Sequence, residues 1–91
     1  MCLDETQRKI DGIDDRLLGL FERRMELAKE IGRYKKERSL PVRDRERERE
    51  ILDRLCERAR PELSEYVKSW FSSLFEISSG YQTAQNQNDS E

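Results

Sequence analysis

RKIDGIDDRLLGLFERRMELAKEIGRYK, residues 8–35, contains no proline and spaces its marked positions alternately three and four apart: Ile10, Ile13, Leu17, Leu20, Arg24, Leu27, Ile31 and Tyr34. That alternation keeps one stripe of an α-helix turned toward a partner, as in a heptad seam. Gly12, Gly19 and Gly32 cost some helix propensity, but the period persists too long for a strand or a loop. The spacing predicts a first helix over residues 5–38, on the order of 50 Å long at about 1.5 Å per residue. Two short helices of the same chain cannot cover such a seam. The expectation is an intertwined homodimer in which a second copy covers the remainder.

The rest of the chain supplies those two helices. Pro41 ends the first helix, and a second is predicted over residues 43–60, with Ile51, Leu52, Leu55, Cys56 and Ala59 as its apolar stripe. Pro61 breaks the chain again. Ser64 then suits the N-cap of a third helix over residues 64–84, with Val67, Trp70, Phe71, Leu74 and Phe75 facing inward. Residues 1–82 read as one all-α domain. Residues 83–91 read as a disordered or linking polar tail, because the periodicity stops there.

A domain of 91 residues is small enough that a lone core is marginal, which again favours a second copy. Charged residues make up 42% of the chain, but they nearly cancel to a net charge of -2. No overall field therefore draws the chain to nucleic acid or to an anionic membrane, and any anion site must be local. No apolar run approaches a bilayer span, and residues 1–9 lack the hydrophobic segment of a signal peptide, so a cytoplasmic protein is expected. Two unpatterned cysteines, Cys2 and Cys56, and no histidine offer neither a disulfide framework nor a metal site.

Each predicted helix also carries polar residues where its pattern calls for apolar ones. Arg24 sits on the first seam, and Lys35 lies eleven residues later on the same face, about 16 Å along the axis. Between them, Ala28 and Gly32 keep space open above Ile31. In the run PVRDRERERE, residues 41–50, the second stripe continued backwards reaches Glu48, Arg47 and Asp44, whereas Arg45, Glu46, Arg49 and Glu50 point to solvent. The third stripe continues from Phe71 and Phe75 through Ser78 and Gln82. Singly, each has an ordinary alternative: a snorkelling arginine, a helix cap at Asp44, polar residues at a fraying end. Jointly they turn more cationic charge inward than Asp44 and Glu48 neutralise, and buried cations require partners. The missing partner is an anion.

The seam quoted above, followed by PVRDRERERE and by SLFEISSGYQ at residues 73–82, closely resembles the all-helical class of chorismate mutase over residues 5–82. The resemblance implies an intertwined three-helix dimer with two sites, each completed by the first helix of the other copy. It also implies the one-substrate rearrangement of chorismate to prephenate on the way to phenylalanine and tyrosine, with no nucleophile, metal or organic cofactor. Carried over, Arg24 clamps a substrate carboxylate, and Lys35 and Gln82 donate to the ether oxygen. The Asp44 backbone and the Glu48 carboxylate bind the ring hydroxyl. Arg47 holds Glu48 and a carboxylate in register, and Ser78 contacts a carboxylate. The family's usual cross-subunit arginine is replaced here by Gln7, with Arg8 next to it as the alternative.

The same fold also accommodates an isochorismate pyruvate lyase or a weakly active or non-catalytic regulatory dimer. A plain coiled coil or charged RNA-associated segment is opposed by the two prolines and by the clustered Trp70, Phe71 and Phe75.

Overall fold

The computed structural model describes residues 2–88. It contains three α-helices, α1 at Leu3–Glu37, α2 at Arg45–Arg58 and α3 at Ser64–Asn88, with a single 3-10 turn at Pro61–Leu63 leading into α3. No strand occurs among the described residues, so the chain is all-helical with one long and two shorter helices. None of these helices is long and apolar enough to cross a membrane.

The helix ends have local causes. Ser39 adopts a left-handed backbone with φ 55°. Its N–H donates to Lys36 O at 3.1 Å, and the Leu40 N–H donates to Lys35 O at 2.8 Å. This Schellman closure satisfies carbonyls that a helix end leaves open, so α1 stops before Pro41 is reached. Asp44 caps α2, its Oδ1 accepting from the Arg47 N–H at 3.0 Å, and α2 therefore starts two residues after the predicted position 43. At the start of α3 the Ser64 hydroxyl donates to Cys56 O at 3.3 Å, tying α3 back to α2.

α1 and α3 run parallel. Arg24 donates to Ser78, Gln82 to Ala28 O and Asn86 to Gly32 O, and each pair is 54 residues apart. A constant offset at steps of four on both helices requires the same direction. α2 returns antiparallel to α3, tied to it at Ser64 and sharing a cleft in which Arg43 lies with Glu76.

The expected loose tail is corrected for residues 83–88, which continue α3. Asn86 Nδ2 donates to Gly32 O at 3.2 Å, and Lys36 Nζ donates to Asn86 O at 2.6 Å. Hydrogen bonds to α1 hold this last turn where apolar contacts run out. Residues 89–91 of that expectation lie outside the described residues.

Burial within the chain is sparse. Ala28, Leu74 and Phe75 form the buried apolar set, and no large side chain is fully buried among the described residues. The seam residues Ile10, Ile13, Leu17 and Leu20 are 51%, 54%, 43% and 65% exposed. Trp70, expected inside, is also exposed. With Phe71 and Leu74 it walls an apolar cavity of about 440 Å³ against Leu17, Leu18, Leu20 and Phe21.

Candidate functional site

Parallel packing of the C-terminal halves of α1 and α3, with the N-terminal end of α2 beside them, leaves a cavity of about 300 Å³. α1 contributes Arg24, Ala28, Ile31 and Lys35. Val42, Asp44, Arg47, Glu48 and Ile51 come from the connection and α2, and Phe75, Ser78, Ser79 and Gln82 from α3. Seven sequence-predicted residues are thus brought together: Arg24, Lys35, Asp44, Arg47, Glu48, Ser78 and Gln82. Gln7 and Arg8 are exposed on the first turns of α1 and line no part of it. Seventeen residues separate Gln7 from Arg24, about 25 Å along the axis, so neither can reach the cavity of its own chain.

Arg24 is fixed from two sides. Its Nη1 donates to Ser78 Oγ at 2.9 Å, and the guanidinium stands 6.0 Å from the centre of the Phe75 ring. Burial lowers its pKa below the ordinary arginine value, yet no carboxylate partners it among the described residues. Ser78 is itself buried and points its hydroxyl at Met25 Sδ, 3.9 Å away, while accepting from Arg24.

Lys35 Nζ donates to Val42 O at 2.9 Å, and the Lys35 carbonyl anchors the helix closure. The ammonium is therefore tied to the connection that follows α1 while two of its three donors stay unassigned. Gln82 is buried, and its Nε2 donates to Ala28 O at 2.7 Å. A carbonyl can only accept, so this bond fixes which end of the amide is nitrogen and leaves a second N–H. Gly32 makes the approach possible. A Cβ there would lie 3.0 Å from both Gln82 Cβ and Cγ, so Gly32 serves to admit α3 rather than to enlarge the cavity.

The α2 side departs from expectation at two points. Glu48 is held by Arg43, not by Arg47: Arg43 Nε and Nη2 each donate to a different Glu48 oxygen at 2.7 Å. Arg47 is exposed and pairs with Glu50 at 3.4 Å. Adjacent residues on a helix diverge by about 100°, so Arg47 cannot face Glu48. Arg43 lies before the N-cap, outside helical geometry, where no helical spacing could link it to Glu48. Arg45, expected to point away, reaches Glu48 at 3.5 Å from a largely exposed position. The Arg43 hydrogen bonds, with its charge and that of Arg45, hold the Glu48 carboxyl below its ordinary 4.5 against the opposing effect of burial. The same pairing raises Arg43.

The cavity therefore presents two cations without an acid partner among the described residues, a fixed amide donor, a hydroxyl, the Glu48 carboxylate already neutralised from behind and the Asp44 carboxylate engaged in capping α2. Such a lining suits a small dianion with an additional hydroxyl.

Comparison with known proteins agrees with this chemistry. A family model described as chorismate mutase type II matches residues 6–83. A chorismate mutase of Methanocaldococcus jannaschii is 42% identical over 53 residues, covering 58% of this chain and 54% of that protein. Bifunctional chorismate mutase/prephenate dehydratases match as well. That of Aquifex aeolicus is 43% identical over 53 residues, 58% of this chain and 15% of the relative. That of Escherichia coli K12 is 47% identical over 49 residues, 54% of this chain and 13% of the relative. The matched stretch spans about half of the first protein and a small part of the other two. No solved structure gave a significant match. The family match covers nearly all of the three helices that build the cavity, and the chain belongs to the type II chorismate mutase family.

Proposed function

We propose that this chain converts chorismate to prephenate. In that intramolecular rearrangement the ether C–O bond breaks as a new C–C bond forms, with no proton transferred and no group carried by the protein. The observation that carries the reading is the pair of cations, Arg24 and Lys35, lining one cavity with no acid partner among the described residues. A substrate with two carboxylates supplies the missing charge.

The protein's task is to hold the flexible substrate in its compact reactive conformer and to stabilise charge that grows on the ether oxygen. Arg24, braced by Ser78, clamps one carboxylate through its planar fork. Lys35 and Gln82 aim their remaining N–H donors at the ether oxygen. Each is already anchored, Lys35 on Val42 O and Gln82 on Ala28 O, so little reorganisation is needed as the bond breaks. Glu48, ionised, accepts from the ring hydroxyl beside the Asp44 backbone, and Arg47 at the rim adds charge toward a carboxylate.

A homodimer is part of the same proposal. Ten large apolar side chains on α1 are exposed, from Leu3 to Tyr34. Covering what remains open of them would contribute on the order of 10 kcal/mol, comparable to the whole stability of a small domain. A second copy laid along the seam does this and brings Gln7 and Arg8 of that copy toward the open cavity. Free Cys2 and Cys56 suit a reducing, cytoplasmic setting.

The test is to incubate the purified protein with chorismate and, separately, with isochorismate, and to identify the products by chromatography. Prephenate from chorismate is the expected result. Pyruvate release from isochorismate without prephenate formation would assign the lyase reaction instead, and no turnover of either would refute an enzyme.

A further inference from the structure

We propose that Arg43, which lies outside the substrate cavity, is a positioning residue for hydroxyl recognition: it fixes the Glu48 carboxylate in place and cancels its charge toward an incoming dianion. This inference rests on the chorismate reading. Glu48 forms a partition between two hollows. On one side it lines the cavity with Arg24 and Lys35, and on the other it lines a cleft with Arg43, Ser72 and Glu76. Arg43 approaches from the second side. Both Glu48 oxygens accept from it at 2.7 Å, so neither the carboxylate plane nor its rotamer can turn freely. Each oxygen keeps a second lone pair for a hydroxyl donor on the cavity side.

The charge argument is independent of the geometric one. A substrate dianion would meet the Glu48 carboxylate within a small, half-enclosed space, where like charges repel strongly. Glu48 can accept from the hydroxyl without repelling the carboxylates only while a cation sits behind it. Arg45 cannot take over that role, because its contact is longer, 3.5 Å, and its side chain is 72% exposed. The repulsion acts on bound substrate and transition state alike, so losing Arg43 should appear in KM and leave kcat nearly unchanged.

The experiment measures kcat and KM for chorismate in the wild type, Arg43→Ala, Arg43→Lys, Glu48→Gln and the double variant Arg43→Ala/Glu48→Gln, with thermal melting of each. Arg43→Ala is expected to raise KM about tenfold to a hundredfold, as for a lost charge-assisted contact, with kcat within about threefold. Arg43→Lys should recover part of the loss, since it restores the charge but not the fork. The deciding readout is a reversal of sign. Glu48→Gln should weaken binding in the wild-type background and improve it in the Arg43→Ala background, where it removes an uncancelled negative charge. A merely structural pair would not give that reversal, whatever its effect on melting. Additive penalties in the double variant, or an Arg43→Ala KM within twofold of wild type, would overturn this inference alone. Absence of chorismate turnover by the wild type would overturn the functional reading and this inference with it.

Discussion

Replacing Gly32 with alanine adds one methyl group at the closest approach of α1 to α3. The new Cβ would lie 3.0 Å from Gln82 Cβ and Cγ and 3.6 Å from Gln82 Cα. Comfortable carbon contacts are about 3.5 to 4.0 Å, and Cβ cannot move without its backbone, so α3 must retreat by roughly half an ångström. The Gln82 to Ala28 bond, 2.7 Å in the native packing, then lengthens and loses its alignment. Overpacking costs about 1 to 3 kcal/mol, whereas alanine gains about 1 kcal/mol over glycine within a helix. The two effects largely offset each other, and stability should fall by no more than about 2 kcal/mol. Activity should fall about tenfold, because Gln82 acts on charge that exists mainly in the transition state, and a misplacement of a full ångström costs about a hundredfold. Chorismate consumption followed by absorbance, alongside urea denaturation, separates the two effects. A Gly32→Ala protein with kcat within twofold of wild type would refute the claim that this glycine sets the aim of Gln82.

Three further outcomes are expected. Glu48 has a lowered folded-state pKa, so its contribution to stability is fully present above the unfolded carboxylate value and is lost as pH falls through the depressed one. By carboxyl-carbon NMR titration, Arg43→Ala should move the Glu48 midpoint upward, against neighbours Asp44, Arg45, Lys35, Arg24 and, across the cleft, Glu76; an unmoved midpoint would contradict the pairing. Ser39→Gly relieves a left-handed serine at the end of α1 and should stabilise the protein by about 1 kcal/mol without changing kcat, as read by chemical denaturation. Gln7→Arg should lower KM more than it changes kcat if a second copy completes the site, and Arg8→Ala should raise KM sharply if Arg8 already fills that place; effects below twofold in both would remove the cross-subunit contact.

The three helices and seven of the cavity residues were legible because helical periodicity is a local property. Wherever Arg24, Ser78 and Gln82 occupied apolar positions, they marked an inward face whose neighbours were unknown. Relations across helices, or outside them, carried no such signal. The partnership of Arg43 with Glu48 spans a helix cap, where counting by threes and fours does not reach, and the part of holding Glu48 had come to Arg47 from the family resemblance. The continuation of α3 to Asn88 depends on amide contacts with Gly32 O and Lys36, which no apolar count registers. Gly32 read as empty space, and only the parallel register of α1 and α3 shows that Gln82 fills it. The α1 seam stands open within the chain, and so does Trp70, which its own helical stripe had placed inward; a stripe shows which residues share a face, not what covers that face.

The most direct test is a crystal structure of the protein with a stable bicyclic dicarboxylate that mimics the transition state. The account predicts one carboxylate on Arg24 and Ser78, the ether oxygen within hydrogen-bond distance of Lys35 Nζ and Gln82 Nε2, and the hydroxyl on Glu48 with Arg43 still behind it. A ligand seated instead in the apolar cavity beside Trp70, or bound with Lys35 and Gln82 both out of reach of the ether oxygen, would contradict it.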